Sequence, residues 1–312
     1  MIDYILKRLF YLVFVMIGVS ILTFALSQII PGDPAELILK EMGMEATREE
    51  IEILRDRLGL NDPLIVQYGR WTKNVLKGDL GRSFRTGTAV TEEIITRIPA
   101  TIELTLGGLI IMIFLALPIG VLSAVFKNRW IDHCSRLFAF FGASIPSFCL
   151  GLMLIYFFSV KLSIFPVMGR GTLLHLFLPS FTLGVGMATT YARLIRASML
   201  EILGQDFILA ARSRGLKENL VIINNALRNA LIPVTTAFGM NFGHLLGGTV
   251  IIENIFAWPG VGKFLVESIF NRDYPVIQGY VLWMAMIFVL ANLVVDISYR
   301  LLDPRISIGG KM

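Results

Sequence analysis

Charge is scarce in this chain: Asp, Glu, Lys and Arg make up 16% of its 312 residues, while 55% are hydrophobic. Soluble globular domains carry about 25% charged residues, so water is not the solvent for most of this polypeptide. Cysteine is nearly absent. Cys134 lies beside a basic stretch and Cys149 inside an apolar run, which leaves no disulfide framework. Histidine occurs three times, with no His-Glu-x-x-His helix, nucleophile elbow or cluster of metal ligands, and this argues against an intramembrane hydrolase. Gly260-Val261-Gly262-Lys263 has Phe264 where a phosphate loop needs Ser or Thr. No nucleotide site and no cofactor is therefore expected in this chain.

What the chain has is long apolar runs. A hydrocarbon core about 30 Å thick takes roughly 20 helical residues. Runs of that order cover Leu9 to Ile30, Thr101 to Phe126, Leu137 to Val160, Leu173 to Tyr191, Pro233 to Ile252 and Val276 to Tyr299. Pro118 and Pro146 interrupt the second and third. Lipid offers no partner for an unpaired backbone group, so six transmembrane helices and an all-α integral membrane protein are expected. The first run is too long for a secretory signal and lacks a small-x-small cleavage pattern before Pro31, so it reads as an uncleaved span.

Orientation follows from the basic segments. Lys7 and Arg8, then Lys127, Arg129 and Arg136, then Arg193 to Arg228, then Arg300, Arg305 and Lys311 fall on one side, which places both termini in the cytoplasm. The opposite side receives a loop of about 70 residues, long enough to cross regardless of its ten basic and twelve acidic side chains. The net charge of +5 is thus a matter of topology and calls for no nucleic acid. The expected division is 1–30 for the N-terminus and first span, 31–100 for the extracytoplasmic loop, and 101–312 for a five-helix core with a cytoplasmic segment at 194–232.

Within the loop, Pro31-Gly32-Asp33-Pro34 forms a turn by its chemistry, and Thr47 to Leu58 places Ile51, Leu54 and Leu58 at helical spacing among charged residues. In the cytoplasmic segment, Asp206 is expected to cap a short helix that Gly215 ends, with Phe207, Ala210, Ala211 and Arg214 on one side. A second helix is expected from about Glu218 to Leu231, with Leu220, Ile223, Leu227 and Leu231 on one face, leading into the fifth span at Pro233.

In the fifth span, Gly239, Gly243 and Gly247 recur every four residues, a stripe for close helix packing. Asn241 and His244 fall on another face, where they either line a path or are satisfied by a neighbouring helix. His244 near Met240 is compatible with a soft metal, but one His makes no site. Glu103 begins the second span, and Asn292, Asp296 and Arg300 stack near the end of the sixth as an interfacial ion pair. Glu253 to Gly262, with Phe256, Trp258 and Pro259, is expected in the external loop between spans five and six.

AARSRGL followed by LRNALIP resembles the coupling motif of binding-protein-dependent ABC importer permeases, matched at Ala210, Ala211, Gly215, Ile232 and Pro233. Leu209 stands where that pattern has Glu. PGDP, LGLNDPLIVQYGRW, GDLGRSF, IPATIELT, IENIFAWPGVG, NRDYPVIQ and LLDPR resemble the peptide and nickel branch of these permeases, over nearly the whole chain. GGTVIIENIFAWPGVG and SIFNRDYPVIQ are most similar to the nickel permease B-type subunit.

The resemblance implies the type I ABC importer permease fold and a place in a bacterial cytoplasmic membrane. It implies a homologous second permease subunit, two cytoplasmic ABC ATPases that hydrolyse the ATP, and an extracytoplasmic solute-binding protein. Asp206, Phe207, Ala210, Ala211, Arg212, Arg214 and Gly215 would dock on an ATPase. Phe256 and Trp258 would anchor at the interface or touch the binding protein. The expected cargo is nickel, as ion or chelate, with a di- or oligopeptide as the alternative. A secondary transporter is a remote rival, since Glu103 and Asp296 hardly supply a mid-membrane relay.

Overall fold

The computed structural model describes the backbone of residues 2–29, 33–41 and 47–302, and among these leaves aside the side chains of 2–9, 29, 37, 40, 41, 240–248, 292 and 294–302. The described residues are helical and irregular, with one isolated antiparallel bridge between Arg82 and Ala89. Contacts divide the chain into two compact units, Met1–Pro99 with Lys263–Val294, and Ala100–Gly262 with Val295–Met312.

The first unit contains α1 (Ile2–Ile29), α2 (Pro34–Glu41), α3 (Arg48–Leu58) and α4 (Leu64–Leu76), and receives the beginning of α5 (Val90–Val125). Thr47 caps α3 in a reciprocal box with Glu50, and the Thr47 backbone N–H holds the Glu50 carboxyl below the usual carboxylate range. Gly59 ends α3 at φ +66°. No residue of α3 is buried, as the expected water-exposed or surface-lying helix requires. The amphipathic α4 lies on α1 through Tyr68, whose hydroxyl is 2.8 Å from Ser20 Oγ. Phe24 packs there against Tyr68 and Trp71 at centroid distances of 5.4 and 5.9 Å.

The second unit is organised around α8 (Leu173–Leu203), with α6 (Trp130–Ser144), α7 (Ser147–Leu154) and α11 (Arg228–Ile255) packed on it. Glycines permit these approaches: a Cβ on Gly184 would meet the Gly108 carbonyl oxygen at 2.7 Å, and one on Gly120 the Ala192 carbonyl oxygen at 2.8 Å. Asp132, wholly buried, accepts hydrogen bonds from Arg196 Nε (2.7 Å) and Nη2 (2.9 Å), Ser123 Oγ (2.6 Å) and the Asn128 backbone N–H (2.9 Å). This pair ties α6 to α8, and the sequence reading did not single it out.

Among the described residues four helices are long and apolar enough to cross a membrane: Phe10–Gln28 within α1, all of α5 and α8, and Tyr274–Ala291 within α13 (Tyr274–Leu302). A fifth is reached if α6 and α7, the latter continued by a π-helix at Ile155–Lys161, count as one broken span. The interruption expected at Pro146 in the third run, 137–160, is a sharp break, because the two helices meet at 101°. Pro146 forces Ile145 out of the helical region, to φ −86° and ψ 119°, and lacks the N–H that would continue the ladder.

Pro118 has no such effect. α5 runs without a break from Val90 through Pro99 and Pro118, and starts eleven residues before the expected Thr101. Glu103 is therefore well inside this helix, where Arg170 Nε donates to its carboxylate at 2.7 Å. The expected fifth span lies within α11, and Asn292, Asp296 and Arg300 fall outside the described side chains.

Candidate functional site

The segment after α8 folds as a short helix, a tight turn and a long helix. The short helix is α9 (Asp206–Ser213). Gln205 is its N-cap and makes no side-chain cap bond, so Asp206 is the first helical residue and not the expected cap. Its carboxylate still favours the positive end of the helix dipole. Gly215 takes φ +76° just after the helix, as expected of a glycine that ends one.

Burial separates the residues of α9 differently from the expected grouping. Ile208 and Ala211 point inward at 0% and 8% exposure, while Phe207, Leu209, Ala210, Arg212 and Arg214 are exposed. Ala211 thus does not share a free face with Phe207, Ala210 and Arg214. Helical spacing placed it within reach of both faces, and the apolar cluster formed by Met199, Ile208, Ala211, Val221 and Ala226 drew it inside.

After the turn, α10 (Glu218–Leu220) passes through a π-helix at Val221–Leu227 into α11. The expected apolar face of Leu220, Ile223, Leu227 and Leu231 is also corrected. Leu220 and Ile223 are exposed, and Val221, Ala226, Ala230 and Val234 form the buried stripe. The step of five from Val221 to Ala226 is the π-helical repeat, which rotates the face relative to an ideal α-helix. Pro233 sits inside continuous helix rather than at a boundary.

Arg212 fixes the turn through two bonds to Glu218, Nη2 to Oε1 at 2.6 Å and Nε to Oε2 at 3.2 Å. The Arg212 hydrogen bonds hold the Glu218 carboxyl below its ordinary range. Arg212 is thus engaged within the segment. Phe207, Leu209 and Ala210 remain as a small outward apolar face beside Arg214, carried on a helix whose inner side is locked into the core.

The stretch from Glu253 to Gly262 is not an exposed loop. Glu253 belongs to α11, is wholly buried and accepts from Thr101 Oγ1 at 2.6 Å. Gly260 and Gly262 pack on that carboxylate, where a Cβ on Gly260 would meet Glu253 Oε1 at 2.2 Å. Phe256 is 2% and Trp258 0% exposed, and Trp258 Nε1 donates to the Ala100 carbonyl at 2.7 Å. The expectation that these two aromatics contact a binding protein or the interface is therefore overturned. They are interior residues, because α5 and α8 cover them with Ala100, Leu104 and Leu178.

Gly239 is buried in α11, while Asn241, Gly243, His244 and Gly247 lie outside the described side chains. No group of three or more His, Cys, Asp or Glu that could hold a metal occurs among the described residues.

Residues 116–308 match the family described as "Binding-protein-dependent transport system inner membrane component", and residues 1–105 match the corresponding N-terminal family. The glutathione transport system permease protein GsiC of Salmonella paratyphi A is 42% identical over 306 residues, covering 98% of this chain and 99% of the relative. The protein of the same name from Escherichia coli K12 is 41% identical over the same length. Among solved structures, an inward-facing MetNI methionine ABC transporter aligns at a TM-score of 0.57 with 20% identity, covering 67% of this chain and 96% of that one. An amino acid ABC transporter solved with histidines aligns at 0.52 with 19% identity, covering 69% and 95%. At those identities the structures show a shared fold, the type I importer permease architecture.

Proposed function

The chain belongs to the binding-protein-dependent transport system inner membrane components, permease subunits of ABC importers, and from that membership we propose that its cargo is a small peptide of the glutathione type. The observation that carries the cargo is identity above 40% to glutathione permeases over almost the full length of both chains. The nickel expectation rested on two short stretches, GGTVIIENIFAWPGVG and SIFNRDYPVIQ. In the structure both contribute buried packing residues such as Trp258, Val261 and Ser268, which any cargo would leave in place. Interior likeness of this kind says little about what passes through.

In this reading the subunit spans the membrane six times with both termini in the cytoplasm, beside a homologous second permease subunit. Two cytoplasmic ABC ATPases supply hydrolysis and a solute-binding protein delivers cargo. The outward face of α9 docks in the ATPase, with Phe207 and Leu209 entering an apolar cleft and Arg214 meeting an acidic rim. ATP-driven closure then shifts α9, and the buried contacts of Ile208 and Ala211 pass that movement to α8 and α11 as a rigid body. Asn241 and His244 remain the residues proposed to line the path.

The test is uptake by the complete transporter, with its ATPases and binding protein, reconstituted in liposomes. ATP-dependent accumulation of radiolabelled glutathione or dipeptide is the expected result. Accumulation of nickel-63 that excess peptide does not compete would overturn the cargo.

A further inference from the structure

The first unit holds a cavity of about 600 Å³, bounded by α1, α3, α4, the loop before α5 and the start of α13. That volume lies within the usual range for small-molecule sites, roughly 300–1,000 Å³. We propose that this cavity is a peptide-binding site belonging to the permease subunit itself, separate from the pocket of the solute-binding protein. The inference rests on the peptide reading of the cargo.

Three features of the lining point to that ligand class. Apolar surface comes from aromatic rings, with Trp71 and Phe24 on one wall and the edge-to-face pair Phe84 and Tyr274 on another, at a centroid distance of 6.3 Å. Such walls accept the side chain of a peptide. Carboxamides are unusually frequent: Gln28, Gln67, Asn74 and Gln278 all line the space. Gln67 donates to the carbonyls of Leu60 and Asp62, and Gln278 to Ser27 Oγ at 2.6 Å, so their N–H groups are engaged. Gln67 spends both N–H groups on those carbonyls, which leaves its oxygen to accept from a peptide N–H, while Gln28 and Asn74 carry both a donor and an acceptor, the pair that a peptide group requires.

Charges of both signs border the same space. Arg55 Nη1 meets Asp33 Oδ2 at 2.7 Å, and Arg70 is paired with Asp62. Arg55 and Asp33 are 35% and 20% exposed, open enough for a zwitterion to place its carboxylate on the guanidinium and its ammonium on the carboxylate. Gly59 turns the chain along this wall at φ +66°, a conformation that favours glycine.

A fourth observation is independent of charge. Tyr274 lines the cavity at 5% exposure, and its hydroxyl is buried with no hydrogen-bond partner among the described residues. The hydroxyl is closed off from the cavity as the wall stands; buried polar groups are nearly always partnered, so a ligand that turns this ring outward would complete its bonding.

The experiment uses the assembled permease–ATPase complex in lipid nanodiscs, without the binding protein. Binding of glutathione and of the tripeptide Gly-Gly-Phe is followed by saturation-transfer NMR and thermal shift. Saturable binding is expected, weakened about three- to tenfold by Tyr274→Phe, which removes one neutral hydrogen bond. Trp71→Ala is expected to weaken it at least about tenfold through loss of the aromatic wall. A merely structural hydroxyl predicts the reverse for Tyr274→Phe: a melting temperature equal or higher, and peptide affinity unchanged.

A transporter that imports peptide with its binding protein, while the complex alone binds none, would sink the site and leave the cargo reading intact. Import of nickel alone, with Tyr274-dependent tripeptide binding retained, would sink the cargo reading and support the site. Loss of binding-protein attachment in both variants, with peptide affinity of the complex unchanged, would make the cavity a docking surface and overturn the proposal.

Discussion

Replacing Asp132 by Ala removes the carboxylate that joins α6 to α8. It accepts four hydrogen bonds in a wholly buried position, two of them from Arg196. Truncation leaves the Arg196 guanidinium without its counter-charge, and breaking a buried pair from one side costs about 3–5 kcal/mol. Arg196 is 24% exposed, so water reaches part of it and the expected cost falls at the lower end, about 3 kcal/mol. Arg136 Nε, 3.9 Å from the carboxylate and 51% exposed, adds little.

Asp132→Asn keeps the shape and an acceptor but loses the charge, for an expected loss of about 2 kcal/mol. Removing both charges, in Asp132→Ala with Arg196→Met, should recover about 1–2 kcal/mol relative to Asp132→Ala alone. Each variant is measured by SDS-titrated unfolding in mixed micelles, followed by circular dichroism. If Asp132→Ala stays within about 1 kcal/mol of the parent, or if the double variant loses the sum of the two singles, an uncompensated buried charge is not the cause.

The coupling segment gives two further outcomes. Phe207→Asp on the outward face of α9 should leave the fold intact and cut both ATPase co-purification and ATP-driven uptake at least about tenfold, whereas Ile208→Asp should prevent folding by burying a charge. Gly215→Ala should cost about 1 kcal/mol from its positive φ alone, since nothing lies within 4 Å of the added methyl, and Gly215→Asn should cost less. The Arg212–Glu218 pair has a pH signature. Because the folded Glu218 carboxyl titrates below its ordinary 4.5, its contribution is complete above that value and fades as pH falls through the lower folded one. Both partners are about half exposed, so hydrogen exchange at 212–218 should change by less than about 1 kcal/mol between pH 7 and 3. Trp258→Phe should cost about 1–2 kcal/mol by removing the bond to the Ala100 carbonyl, and should leave binding-protein affinity within about twofold.

Several elements were legible in the residues alone. Ile51, Leu54 and Leu58 at helical spacing carried α3, and Gly215 carried the end of α9, because helical periodicity and helix ends depend on neighbours within a few positions. Apolar length gave the apolar parts of α1, α5, α8 and α13 for the same local reason, and missed the first eleven residues of α5 and the last turns of α8. Proline was harder to read. Pro118 and Pro146 look alike in the sequence, yet one lies in unbroken helix and the other at a 101° break. The faces of α9 and α11 were partly misread, because a π-helical step rotates the pattern and burial is assigned by the partner.

The amino-acid order by itself determined a membrane-embedded helical protein of the importer-permease type, since the bilayer imposes span length and the motif residues are contiguous in the chain. Tertiary structure alone decided that Trp258 and Phe256 are interior, that Asp132 finds Arg196, and that Tyr274 lines a cavity. Trp258 and the carbonyl it binds are 158 positions apart, and Asp132 and Arg196 are 64 apart. Local periodicity carries no information over such separations, and only packing selects which helix covers which side chain.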